Sequence, residues 1–188
     1  VYIGNGAGST DNANNNKNVG IGYWTLQQNV GGYYNTATGS ESSVANVTGN
    51  SNTASGYFSL RLNESSANSA FGRSSLTKNS SGSNNTAMGT YTLSGNTTGI
   101  NNSALGVFSL ASNVGGSYNT AVGYAALDTN TSGSQNVAFG MSALNTNQTG
   151  SSNTAIGYDS DVASSNLTNT TAIGYSAIAT ASNTIQLG

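Results

Sequence analysis

Asn119-Thr120-Ala121-Val122-Gly123-Tyr124-Ala125-Ala126-Leu127 is the phrase to which the chain keeps returning, and its recurrence sets the architecture. Written loosely as Asn-Thr-Ala-apolar-Gly-Tyr-x-x-Leu, the unit repeats along nearly the whole of the 188 residues. Its glycines stand at Gly4, Gly22, Gly39, Gly56, Gly72, Gly89, Gly106, Gly123, Gly140, Gly157, Gly174 and Gly188, at intervals of 18, 17, 17, 16, 17, 17, 17, 17, 17, 17 and 14. A beat this regular is the mark of a repeat architecture, far beyond what a biased composition produces by chance.

Other columns keep the same beat. Two residues before the glycine stands Ala: Ala37, Ala54, Ala70, Ala87, Ala104, Ala121, Ala138, Ala155 and Ala172, with Gly20 and Gln186 as departures. Four before it stands Asn: Asn18, Asn35, Asn52, Asn68, Asn85, Asn102, Asn119, Asn136 and Asn153. Between them runs a hydroxyl column, Thr36, Thr53, Ser69, Thr86, Ser103, Thr120, Thr154 and Thr171, interrupted by Val137. The residue just before the glycine is usually apolar but varied, as in Ile21, Phe71, Met88, Leu105, Phe139 and Ile156, with Thr38 and Ser55 as polar exceptions. Four after it come Leu26, Leu60, Leu76, Leu93, Leu110, Leu127, Leu144 and Ile178, and a second glycine marks the loop at Gly32, Gly49, Gly82, Gly99, Gly116, Gly133 and Gly150.

A unit of about 17 residues is too short for helical repeats and too rich in Gly, Asn and Ser to hold a helix. It suits two strands of four to five residues joined by two turns. Alternation around the glycine puts Asn and Ala on one side, Thr and the apolar residue on the other. The uniform Ala predicts a tight site, and the varied apolar column predicts a looser seam. One unit cannot bury its own apolar surface, so it must stack on its neighbours at roughly 4.8 Å per coil, strand hydrogen-bonded to strand in parallel. The expected fold is therefore all-β, a parallel β-solenoid of eleven or twelve coils, in a single domain over residues 1–188. Residues 1–17 form an irregular first coil, 18–174 the regular repeats, and 175–188 a final 14-residue coil. The columns become ladders of Asn, hydroxyl, Ala and Leu, and stacked Asn amides satisfy one another from coil to coil.

The totals exclude several function classes. There is no Cys, Pro or His, and 5% of residues are charged, about a fifth of the usual share. Four basic residues at a net charge of −2 give no electrostatic footprint for nucleic acid or an anionic membrane. No apolar run spans a bilayer and no leader-like segment opens the chain. Because the chain starts and stops inside the repeat, it is expected to be part of a longer polypeptide or an assembled filament.

The run from Asn169 to Gly188, with Asn169-Thr170-Thr171-Ala172-Ile173-Gly174 repeated at a spacing of 14 in Ser182-Asn183-Thr184-Ile185-Gln186-Leu187-Gly188, resembles the head repeat of trimeric autotransporter adhesins of the YadA type. The longer units resemble a variant found in phage tail fibres. The resemblance implies a left-handed β-roll, three chains around one axis, on a cell surface or virion. The turns are longer than in that head pattern, as in Asn130-Thr131-Ser132-Gly133. Oligomerisation also follows from size, since a thin roll without disulfides buries little core. The apolar column before the glycine is the expected seam between chains.

Catalysis has little to work with, since no His or Cys is present and the acids are dispersed. The chain is expected not to be an enzyme and to need no cofactor or metal. Asp159 and Asp161 read as a solvated turn rather than a cation site. Gly4-Asn5-Gly6-Ala7-Gly8 lacks the Lys and helix of a phosphate loop and reads as the first coil's turn. The sequons at Asn46, Asn63, Asn96, Asn130, Asn147 and Asn166 fall in expected loops, where glycosylation depends on the source. The loop aromatics Tyr33, Tyr34, Tyr57, Tyr118 and Tyr124 stack either on host sugars or between coils. The function expected is an extracellular, adhesin-like fibre segment whose partners are copies of itself, as a homotrimer or filament, and a host glycan or surface protein. The alternatives are ice binding through the hydroxyl ladder and a passive spacer.

Overall fold

A computed structural model of the chain describes residues 1–12 and 16–188. Its strands, in chain order, are β1 (Tyr2–Ile3), β2 (Val19–Ile21), β3 (Thr36–Thr38), β4 (Thr53–Ser55), β5 (Ser69–Phe71), β6 (Thr86–Met88), β7 (Ser103–Leu105), β8 (Thr120–Val122), β9 (Val137–Phe139), β10 (Thr154–Ile156), β11 (Asp161–Val162), β12 (Thr171–Ile173), β13 (Ile178–Ala179) and β14 (Ile185–Leu187). Twelve of them join in one parallel sheet in sequence order, from β1 through β10 to β12 and β14, and β11 pairs with β13 beside it. Register is kept residue on residue: Thr120 lies over Val137, Ala121 over Ala138 and Val122 over Phe139. The fold is an all-β parallel solenoid with no helix among the described residues. Twelve rungs at the usual inter-strand spacing make a rod on the order of 50–60 Å long.

The coil departs from the expected two strands. Each regular coil has one three-residue strand, and the opposite arc is built from alternating residues in the left-handed conformation. In one coil Gly123, Ala125 and Leu127 have φ of 135°, 53° and 53°. That alternation bends the chain within a few residues yet keeps each N–H aimed along the rod. Ala125 N–H donates to Val107 O of the coil below at 3.0 Å, and Leu127 N–H to Ala143 O of the coil above at 2.9 Å. A non-glycine residue in this conformation costs roughly 1–2 kcal/mol. The inter-coil hydrogen bond and burial of the Leu side chain offset the cost.

Burial explains the two apolar columns that face inward. Ala37, Ala54, Ala70, Ala87, Ala121, Ala138, Ala155 and Ala172 are fully enclosed and Ala104 nearly so, as are Leu26, Leu60, Leu76, Leu93, Leu110, Leu127 and Leu144. Strand and arc lie so close that the strand side admits only a methyl group and the arc supplies the bulk. The glycines Gly89, Gly106, Gly123, Gly140, Gly157 and Gly174 mark the corner, and two constraints meet there. At Gly123 the φ is +135°, and an added Cβ would lie 2.4 Å from Gly140 O.

The last coils break the pattern. Ile178, expected to continue the Leu column, is exposed, and Ala177 and Ala179 are buried in its place. Here Asp159 and Ser176 stay left-handed, but the Leu position after them is extended as part of β11 and β13, so alternate residues turn to opposite faces and Val162 and Ala179 point inward.

Leu127→Ala should cost about 2–5 kcal/mol in denaturant unfolding, because the arc cannot collapse onto the strand. Ala121→Leu should cost at least about 1–3 kcal/mol by overpacking. Burial raises the carboxyl of half-buried Asp128 above its ordinary range. The folded state therefore holds that proton more tightly than the unfolded chain, so its stabilising contribution is full in acid and is lost as pH rises through the folded value. Asp128→Asn should accordingly raise the unfolding midpoint at neutral pH, with the gain vanishing in acid.

Candidate functional site

Two buried polar columns hold the coils in register. Asn35, Asn52, Asn85, Asn102, Asn119, Asn136 and Asn153 lie inside, bridging coils through backbone groups. Asn102 Nδ2 donates to Gly116 O at 2.9 Å, and its Oδ1 accepts from the backbone N–H of Asn119 at 3.0 Å. Direct amide-to-amide contact within this column is confined to single cases such as Asn102 Nδ2 to Asn85 Oδ1, 3.1 Å. Most of the column thus works through the backbone, a correction to the expected side-chain ladder.

The amide ladder is a second column, at positions where the sequence shows several sequons and suggests loops. Asn29, Asn46, Asn63, Asn79, Asn96, Asn113, Asn130 and Asn147 stand seven residues after the repeat glycine and are fully buried. Asn113 Nδ2 donates to Asn96 Oδ1 at 2.8 Å and to Gly116 O at 2.9 Å, and Asn130 Nδ2 donates to Asn113 Oδ1 at 2.9 Å. A glycan on Asn46, Asn63, Asn96, Asn130 or Asn147 would prevent coil closure, and only Asn166 of the sequons named is exposed. The signal for the ladder is present in the sequence, since this Asn keeps the 17-residue beat. Loop glycines serve the same column by close approach: an added Cβ at Gly116 would lie 2.3 Å from Gly133 O and 2.5 Å from Asn113 Oδ1.

The outward face of the strands is where one chain meets its surroundings. The hydroxyl column and the varied apolar column alternate with buried Ala, so both face outward. Phe71, Met88, Leu105, Phe139, Ile156 and Ile173 are exposed, Phe139 by 57%, and Val122 completes their column in direct register from rung to rung. Beside them, past the corner glycine, Tyr23, Tyr57, Tyr124, Tyr158 and Tyr175 are exposed too. Several rings stack along the rod, Tyr91 on Phe108 at 5.5 Å and 1° and Tyr158 on Tyr175 at 5.4 Å and 9°. Tyr33, Tyr34 and Tyr118 project from the opposite loop, Tyr33 meeting Tyr34 edge-on at 5.1 Å.

No family model, curated protein or solved structure matches this chain.

Charged groups serve the scaffold. Arg61 pairs with Glu41 at 3.1 Å and covers the Phe58 ring at 4.7 Å. Asp159 and Asp161 do not act together as one solvated turn. Asp159 is exposed, whereas Asp161 is half-buried in β11, where its carboxylate accepts from Thr146 N–H at 2.9 Å and Val162 N–H at 2.8 Å. Burial raises its carboxyl above the ordinary range. No group of three metal-ligating side chains occurs among the described residues.

The buried amide column predicts a steep difference between the inside and the outside of the loops. Asn113→Ala removes three hydrogen bonds inside the rod and should cost about 3 kcal/mol or more. Exposed Thr149→Ala should stay within about 0.5 kcal/mol by the same unfolding measurement.

Proposed function

We propose that the chain is a structural segment of an extracellular fibre, a stiff rod that associates with two further copies through its outward strand face and displays polar loops for attachment. The observation that carries this reading is the unbroken apolar column from Phe71 to Ile173, outward-facing on rung after rung and flanked by aromatic rings. Monomeric proteins rarely leave an apolar stripe of that extent in water. A solenoid also meets the mechanical need of a fibre: every coil is hydrogen-bonded to the next, so length is gained without a hinge. The resemblance to trimeric adhesin heads and tail fibres supplies the copy number, the cell-surface or virion setting and the adhesin role, and the geometry alone fixes none of them. The chain is read as non-catalytic, its polar side chains being spent on register.

Ice binding is the second reading, favoured by one observation: Thr86, Ser103 and Thr120 stand outward, in register, on an exposed face. Against it, the other outward column on that face carries Met88, Leu105 and Phe139, whose unequal sizes spoil a flat lattice.

Sedimentation equilibrium at micromolar concentration should give three times the chain mass of 18.8 kDa. Leu105→Lys combined with Phe139→Lys should yield folded monomers, because both side chains are exposed in the single chain. A wild-type monomer would sink the fibre reading, and thermal hysteresis in the purified protein would put ice binding in its place.

A further inference from the structure

Three of the four basic residues are engaged with aromatic rings: Lys17 over Tyr34 at 5.2 Å, Arg61 over Phe58 at 4.7 Å and Arg73 over Tyr91 at 5.5 Å. Lys78 is the fourth, and it lines a groove of about 490 Å³ on the arc side of the rod. The groove spans successive coils, with Ser74, Thr77, Ser94 and Ser112 presenting hydroxyls and Tyr91 forming a wall.

A local change in side-chain size makes the room. The position six after the repeat glycine carries Leu62, Lys78, Ser112 and Thr129 in nearby coils but Gly95 in this one. Gly95 lies against Ala111 O, where an added Cβ would approach to 2.6 Å, so the floor stays bare. Tyr91 is a fixed wall, held between Phe108 stacked on one face and Arg73 on the other, so its edge is what it turns to the groove. Thr77 Oγ1 and Ser94 Oγ donate to Phe58 O and Ala111 O at 3.3 and 3.5 Å, which leaves their own lone pairs free to accept.

We propose that this groove binds a saccharide unit bearing a carboxylate, of the uronic or sialic acid class. The Tyr91 edge closes one side of the groove, the hydroxyl row exchanges hydrogen bonds with the sugar hydroxyls, and Lys78 supplies the charge-assisted contact for the carboxylate. The volume lies within the range of small-molecule clefts, about 300–1,000 Å³, and suits one or two sugar rings. The proposal rests on the attachment role of the fibre reading and deepens it. Its groove lies on the arc rather than on the outward strand face, so binding can be tested whatever the copy number.

Saturation-transfer NMR titrations of the full chain with glucuronate, glucose and acetate decide it. Glucuronate should bind with a dissociation constant on the order of millimolar, glucose more weakly and acetate not measurably. Lys78→Gln should weaken glucuronate about tenfold and leave glucose unchanged, since a hydrogen bond to a charged group is lost. Ser112→Tyr, at an exposed position, should fill the groove and remove transfer from both sugars. Absence of glucuronate binding, equal binding of acetate, or an unaltered Lys78→Gln variant would each overturn the proposal. Sedimentation of the same samples separates the two ideas, because a monomer that binds glucuronate refutes the trimer and keeps the groove, whereas a trimer that does not bind refutes the groove alone.

Discussion

Each residue of this rod must sit directly over its counterpart in the next coil, and the other features of the molecule derive from that requirement. The backbone enforces it, with N–H groups of strand and arc alike reaching across to the neighbouring rung, as in Thr120 N–H to Asn136 O and Leu127 N–H to Ala143 O. Side chains stack in consequence at roughly 4.8 Å on copies of themselves. Residues able to bond to their own kind are favoured at such a spacing, and Asn is the strongest case, because its amide offers donor and acceptor in opposite directions.

Exact stacking accounts equally for what the chain lacks. A column of like charges at this spacing repels by roughly 1 kcal/mol per neighbour even in water, so charge is kept to 5% of the residues and dispersed along the rod. Arg61 and Arg73 lie instead against rings, and Glu41 against Arg61. Corner glycines are fixed for a related reason, since the carbonyl of the next corner occupies the place of a Cβ. Stability is then close to a sum over coils and their junctions, so damage to one rung is felt by its neighbours more than by the whole rod.

The parallel solenoid, its 17-residue coil, its tight Ala column and its buried Leu column are legible in the sequence because period and residue size carry directly into stacking. Other features are not. The arc reads as a second strand because its Leu and Tyr sit comfortably in strands, and nothing local announces that Leu127 and Ala125 lie in the left-handed conformation. The column from Asn29 to Asn147 is visible as a period, but Asn46, Asn63, Asn96, Asn130 and Asn147 read as loop sequons, because Asn two residues before Ser or Thr is abundant in this composition. Ile178 reads as a continuation of the Leu column, whereas its own position is extended in β13 and turns the side chain outward. The groove at Lys78 depends on three coils at once, so no single repeat displays it.

That the chain stacks, in what period and with which small residue against which large one, is settled by recurrence and side-chain volume, both of which are written in the order of residues. Which Asn column pairs amide to amide, which face of each strand meets water, and where Gly95 opens a cleft beside Lys78 are settled only once the coils are assembled. These are properties of side-chain direction, and direction is set by whether each arc residue takes an extended or a left-handed backbone with its neighbours above and below in place.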